Sequence, residues 1–211
     1  MTKYIFFDVS GTILGKPSLF NKIKDTLSDY GYLVSLEELI YKHKLLSEVI
    51  HFPDRTDSVF YNHFNGELLR LLGIVPNEKL LEAIFKNCTY LPWEKFDDVD
   101  FLNKIDIPFG IISNFNTTLK DKLLQFFGPI FTDILVSEEL GIAKPKVEFY
   151  QKALDCIGYN ASEVLYIGDS IKLDIEPASK LGIKSLLIDR GNFYQQSTYK
   201  INNLNEISKH L

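Results

Sequence analysis

The sequence predicts an α/β layer fold with a parallel sheet and an all-helical insertion after its first strand, and three observations carry that prediction. Five short apolar runs recur: Tyr4–Phe7, Phe109–Ile112, Ile134–Val136, Val164–Ile167 and Ser185–Ile188. Their length and their β-branched and aromatic content mark strands buried on both faces. From about residue 100 onward helical patterns alternate with these runs, which argues for right-handed crossovers between parallel strands. Residues 15–93 lack a convincing strand.

The helical patterns justify each crossover in turn. Leu119–Phe127 places Leu119, Leu123, Phe126 and Phe127 at helical spacing, and Val147–Ile157 repeats apolar residues in the same way. Ile171–Leu181 carries Ile171, Ile175, Ala178 and Leu181 before Gly182, a natural stop. Within the insertion, Leu36–Ile50, Val59–Leu72 and Asn77–Lys86 read as helices, punctuated by Pro17, Pro53, Pro76 and Pro92. The expected division is residues 1–14 and 94–211 as a Rossmann-like α/β core, with 15–93 as a small helical domain.

Composition bounds the function. With 211 residues, 45% hydrophobic and 13% aromatic content, the chain has ample material for a packed core. A formal net charge of −5 gives no electrostatic reason to expect nucleic acid as a partner. Cys88 and Cys156 stand far apart with no metal-ligand spacing, which points to reduced thiols and a cytoplasmic protein. No apolar stretch has the roughly 18–20 residues of a membrane span, and the N-terminus does not read as a signal peptide.

In a parallel α/β sheet, reactive groups gather where strands end and helices begin. Four polar clusters lie at such places. Asp8-Val9-Ser10-Gly11-Thr12 offers a carboxylate after a buried strand, a candidate nucleophile with backbone N–H groups nearby for an anion. Ser113-Asn114 offers a hydroxyl and an amide for a phosphoryl oxygen, or a helix cap. Ala143-Lys144-Pro145 offers a fixed positive charge. In Gly168-Asp169-Ser170-Ile171-Lys172-Leu173-Asp174 two carboxylates five residues apart can turn to one place, a hard-oxygen set suited to Mg²⁺ or a pair complementing a helix N-terminus. Four clusters in order, each behind its own strand, are hard to explain as four separate caps.

This ordered set resembles the haloacid dehalogenase superfamily, with the helical insertion in the position of a cap domain. The resemblance covers nearly the whole chain. It implies that Asp8 forms an aspartyl-phosphate, that Gly11, Thr12, Ser113, Asn114 and Lys144 hold the phosphoryl group, and that Lys144 steadies its charge. It also implies Mg²⁺ bound by Asp8, the Ser10 backbone carbonyl and Asp169, with Asp174 as a ligand or behind one. The implied substrate is a small phosphorylated metabolite.

The departure is Ser10, which stands where the family's phosphatases carry a second Asp as general acid/base. A hydroxyl with no pKa near neutrality does that work poorly. Alkoxide leaving groups would suffer most from the change, and phenolate, acyl phosphate or anhydride leaving groups least. Three alternatives remain open: a 2-haloacid dehalogenase-like hydrolase, which needs no acid for halide; a slow phosphoryl-capturing enzyme; and a catalytically impaired phosphate-binding descendant. A Schiff-base lysine, with Lys42 or Lys44 nominated, competes with a solvated helix face. In the insertion His43, His51, Arg55, Tyr61, Asn62 and His63 are candidates for substrate contact, with Arg55 the first choice for an anionic group. Either a monomer or a homodimer is compatible with the sequence.

Overall fold

The computed structural model describes residues 1–52, 57–195 and 199–211. It divides into two compact units, Met1–Gly15 with Lys95–Leu211, and Lys16–Glu94. The first is an α/β layer built on β1 (Tyr4–Phe7), β4 (Phe109–Ser113), β5 (Ile134–Val136), β6 (Val164–Gly168), β7 (Lys184–Ile188) and β8 (Lys200–Ile201). They form one sheet in the order β5-β4-β1-β6-β7-β8, and every pairing is parallel. β1, β4 and β6 are buried at every position, as continuous apolar runs require.

The topology places the site. From β1 the chain builds outward to β4 and β5, then returns to the other side of β1 for β6 and β7. β1 is therefore where the strand order reverses, and the crevice outside its carboxyl end is where such sheets bind ligands. Register brings the ends level: Phe7 pairs with Ile111 on one side and Ile167 on the other. Asp8, Ser113 and Asp169 consequently leave the sheet close together. The helices α5 (Leu119–Phe127) and α7 (Val147–Ile157) form over the residues their periodicity marks, and α7 buries Phe149, Tyr150, Ala153 and Leu154 against Tyr4, Phe6 and Tyr166.

Three details differ from the sequence expectation. The segment after β6 is not one helix: a π-type turn over Ile171–Ile175 precedes a short helix, α8 (Glu176–Lys180). β8 adds a sixth strand, too short at two residues to show alternation. A two-stranded pairing joins β2 (Leu14–Gly15) to β3 (Glu94–Lys95), where the chain leaves and re-enters the α/β unit.

The second unit is helical: α1 (Ser18–Asp29), α2 (Leu36–Val49), α3 (Ser58–Leu71) and α4 (Glu78–Cys88). Ser35, Asp57 and Asn77 cap α2, α3 and α4 by accepting from the backbone N–H three residues on. Ile23, Leu27, Leu39, Phe64, Leu68 and Ile84 form part of its core. His43 packs its ring against Phe20 at 5.1 Å and Phe64 at 4.9 Å. Burial, with Lys44 adding to it, pushes the imidazole down to about 4.

That shift fixes a sign. Above the ordinary value near 6.5 the ring is neutral folded and unfolded; below it the unfolded chain takes the proton first, so stability falls between about 6.5 and 4. His43→Phe is expected to remove about 2–3 kcal/mol of this acid sensitivity. Urea unfolding at pH 7 and pH 4.5 measures it, and an equal loss in both proteins would refute the assignment.

Candidate active site

Asp8 continues β1 by donating its backbone N–H to the Ile167 carbonyl at 2.8 Å. The chain then turns within a few residues. The Val9 carbonyl accepts from the N–H groups of Thr12, Ile13 and Leu14, and the Gly11 N–H donates to the Leu14 carbonyl at 2.8 Å. Gly11 sits at φ +82°, and a Cβ there would collide with the Asp169 carboxylate, so only glycine serves both the turn and the close approach. Thr12 is fully buried, and its hydroxyl lies 3.4 Å from Asp8 Oδ2, to which it donates. Ser10 faces solvent and bridges to Leu14 through its backbone.

Lys144 is 4% exposed, and its ammonium lies between two carboxylates, 2.6 Å from Asp8 Oδ1 and 2.7 Å from Asp174 Oδ1. Its backbone is held by Asn114, whose side-chain oxygen accepts from the Lys144 N–H at 2.7 Å while its amide nitrogen donates to the Lys144 carbonyl at 2.9 Å. Neither Ser113 nor Asn114 caps α5, which starts at Leu119 after Thr118. Ser113 is the buried last residue of β4, one position beyond the level of Asp8.

The π-type turn after β6 aims Asp174. Ser170 Oγ accepts from the Leu173 N–H at 3.0 Å, and the Ser170 N–H donates to Asp174 Oδ2 at 3.0 Å. A Cβ on Gly168 would collide with the Asp174 carboxylate, so glycine there makes room for it. Tyr166 reaches in from the sheet. Its hydroxyl donates to Asp174 Oδ1 at 2.8 Å and lies 3.3 Å from Lys144 Nζ. The Tyr150 hydroxyl donates to the Leu173 carbonyl at 2.6 Å and its ring packs at 5.2 Å from Tyr166. Neither tyrosine stands out by spacing, because a tyrosine inside an apolar run counts as core until its hydroxyl is placed.

Carboxylate oxygens of Asp8, Asp169 and Asp174 lie within 4.8 Å of one another. Burial pushes Asp8 up to about 7, Asp174 and Asp169 push the same way, and Lys144 opposes them. Burial works against the charge of Lys144, yet Asp174 and Asp8 outweigh it and hold the ammonium protonated well above its ordinary value. Three carboxylates and the Lys144 ammonium meet in the cluster. Its donors are hard oxygens, the chemistry that suits Mg²⁺. Both Asp174 oxygens already accept bonds, from Lys144, Tyr166 and the Ser170 N–H.

The candidates in the helical unit have other surroundings. Lys42 donates to Glu38 at 2.6 Å and to the Leu71 carbonyl at the end of α3 at 2.7 Å, and Lys44 lies 3.9 Å from Glu48. His51 and His63 are exposed, and the Tyr61 ring lies against Phe60 and Phe85. The Asn62 side-chain oxygen is buried with no partner among the described residues. Arg55 lies outside the described residues.

The chain is similar to known proteins. Residues 2–182 match the family model of the haloacid dehalogenase-like hydrolases. A glyceraldehyde 3-phosphate phosphatase from Methanocaldococcus jannaschii is 34% identical over 228 aligned positions, spanning 98% of this chain and 96% of that one. YfnB of Bacillus subtilis, solved with magnesium bound, superposes with a TM-score of 0.69 at 22% identity, covering 100% of this chain and 98% of the other. The L-2-haloacid dehalogenase of Xanthobacter autotrophicus gives 0.64 at 15% identity over 99% and 98%. At those identities the two solved structures speak for the fold. The family match and the full-length relative go further: the chain belongs to the haloacid dehalogenase-like hydrolases.

Proposed function

We propose that this hydrolase is a Mg²⁺-dependent phosphatase for small phosphorylated metabolites, acting through an aspartyl-phosphate on Asp8. The observation that carries the reading is Lys144, buried and fixed between Asp8 and Asp174 with Asp169 adjoining. An Asp8 oxygen attacks phosphorus, and the bond to the leaving oxygen breaks with its electron pair. Water then attacks the acyl phosphate and releases phosphate, restoring the carboxylate. Lys144 offsets the charge of the transferring group and the Ser113 hydroxyl holds one of its oxygens, whereas the Gly11 and Thr12 N–H groups, expected from the sequence to hold phosphate, already bond the Leu14 and Val9 carbonyls. Asn114 acts by holding Lys144 in place, and Tyr166 by holding Asp174.

Asp8 and Asp169 would hold Mg²⁺, with the Ser10 carbonyl as a third oxygen and Asp174 behind them; the ion supplies charge to the phosphoryl oxygens. With Ser10 in place of an acid, the leaving oxygen takes its proton from solvent. The relative's name makes glyceraldehyde 3-phosphate the first substrate to assay.

A panel of alkyl, aryl and acyl phosphates with saturating Mg²⁺ tests the reading. Turnover is expected on at least one class, lost with EDTA and lost in Asp8→Asn. Chloride release from a 2-haloacid without metal would replace it with the dehalogenase reading, which the missing second carboxylate favours. Failure of every substrate together with failure to form a beryllofluoride adduct would leave a binding protein.

A further inference from the structure

We infer that Arg190 is a positioning residue for the loop that carries Asp8. It is part of a half-buried arrangement with Asp98 and Phe96, and its role rests on the assignment of Asp8 as the nucleophile.

Arg190 follows β7. Its Nη1 and Nη2 each donate to one oxygen of Asp98 at 2.9 Å, the two-pronged geometry in which guanidinium and carboxylate fix each other's plane. Nη2 also donates to the Thr12 carbonyl at 2.7 Å, and Phe96 stacks beneath, its ring centre 4.0 Å from Cζ. Asp98 is itself anchored by the Leu204 N–H at 2.7 Å. The guanidinium therefore ties the Thr12 backbone to a fixed frame, while the Thr12 hydroxyl touches Asp8.

The segment behind Arg190 is equally constrained. Asp189 is 2% exposed, and its carboxylate accepts from the Phe193 and Tyr194 N–H groups and from Lys200. The Tyr194 hydroxyl reaches the Asp169 carbonyl at 3.3 Å. One rigid segment after β7 thus touches the backbones of both the Asp8 loop and the Asp169 loop. Nothing else about Arg190 needs so many partners: a surface arginine would keep its charge in water.

A lysine cannot reproduce the fork. Arg190→Lys is expected to lower kcat with KM nearly unchanged, Arg190→Ala to lower it further, by about 10²-fold, and guanidinium ion to restore part of the loss in Arg190→Ala. Asp98→Asn is expected to act in the same direction and to add little in an Arg190→Ala background. Amide hydrogen exchange over residues 8–14 gives a readout independent of turnover and is expected to quicken in both Arg190 variants.

Asp8→Asn is the reference. If wild type turns over phosphate esters, Asp8→Asn does not, and folded Arg190→Lys and Asp98→Asn match wild type in kcat and in exchange over 8–14, the inference fails while the phosphatase reading stands. If wild type is inactive, the phosphatase reading fails, and unchanged exchange would remove the brace as well.

Discussion

Ser10→Asp is expected to raise kcat on alkyl phosphate monoesters by about 10²–10⁴-fold, with a far smaller gain on aryl and acyl phosphates. Ser10 faces solvent and pairs to Leu14 only through its backbone, so two added heavy atoms disturb no packed core. Changes at such positions cost within about 0.5 kcal/mol. A carboxyl placed there is two residues from Asp8, whose negative charge favours its protonated form and hence its use as an acid. An alkoxide needs that proton as the bond breaks; a phenolate or carboxylate does not. In a series of leaving groups, the steep dependence of rate on leaving-group basicity in wild type should flatten in the variant. If the slope is the same in both, the proton comes from elsewhere and Ser10 is not the missing acid.

The parallel sheet and the helical unit were both legible in the sequence, because burial on two faces writes continuous apolar runs and burial on one writes a helical stripe. The extra strand β8 was not, since two residues carry no period. The site divides along the same line. Asp8, Lys144 and Asp174 stood out because each follows a strand and bears charge, and Gly11 because it closes a turn, whereas the room Gly168 leaves for Asp174 shows only in the structure. Asn114 was legible as a polar residue at a strand end, but its bond to the Lys144 backbone spans 30 positions and no spacing encodes that. Arg190, 178 positions from Thr12, belongs to the same class: its partners are set by the topology, which brings β7 and β1 within one strand of each other.

Lys144→Met is expected to destabilise the metal-free protein by about 3–5 kcal/mol at neutral pH, besides abolishing turnover. Methionine keeps the length and the apolar stem, so the loss isolates the charge. Asp8 and Asp174 are 6% and 1% exposed, and removing the cation that bonds both leaves two buried carboxylates repelling each other. The sign is set by Lys144 itself. Its pKa is raised in the folded state, so its stabilising contribution is fully present below the unfolded value near 10.5 and is lost only as pH rises through the folded one. At neutral pH Lys144 is therefore fully charged, and Asp8, already raised to about 7, limits the loss in the variant by taking up a proton.

A second substitution separates stability from catalysis. Asp174→Asn in the Lys144→Met background removes one of the opposing charges, and the amide oxygen can still accept from the Ser170 N–H while its NH2 donates to the Tyr166 hydroxyl oxygen, so stability should recover in good part. Turnover should not, because the transferring group still lacks its cation. Urea unfolding and steady-state kinetics on the single and double variants measure the two quantities. A Lys144→Met protein as stable as wild type would mean that the buried pair contributes nothing to the fold. A double variant that regains turnover along with stability would mean that Lys144 serves only to neutralise Asp174.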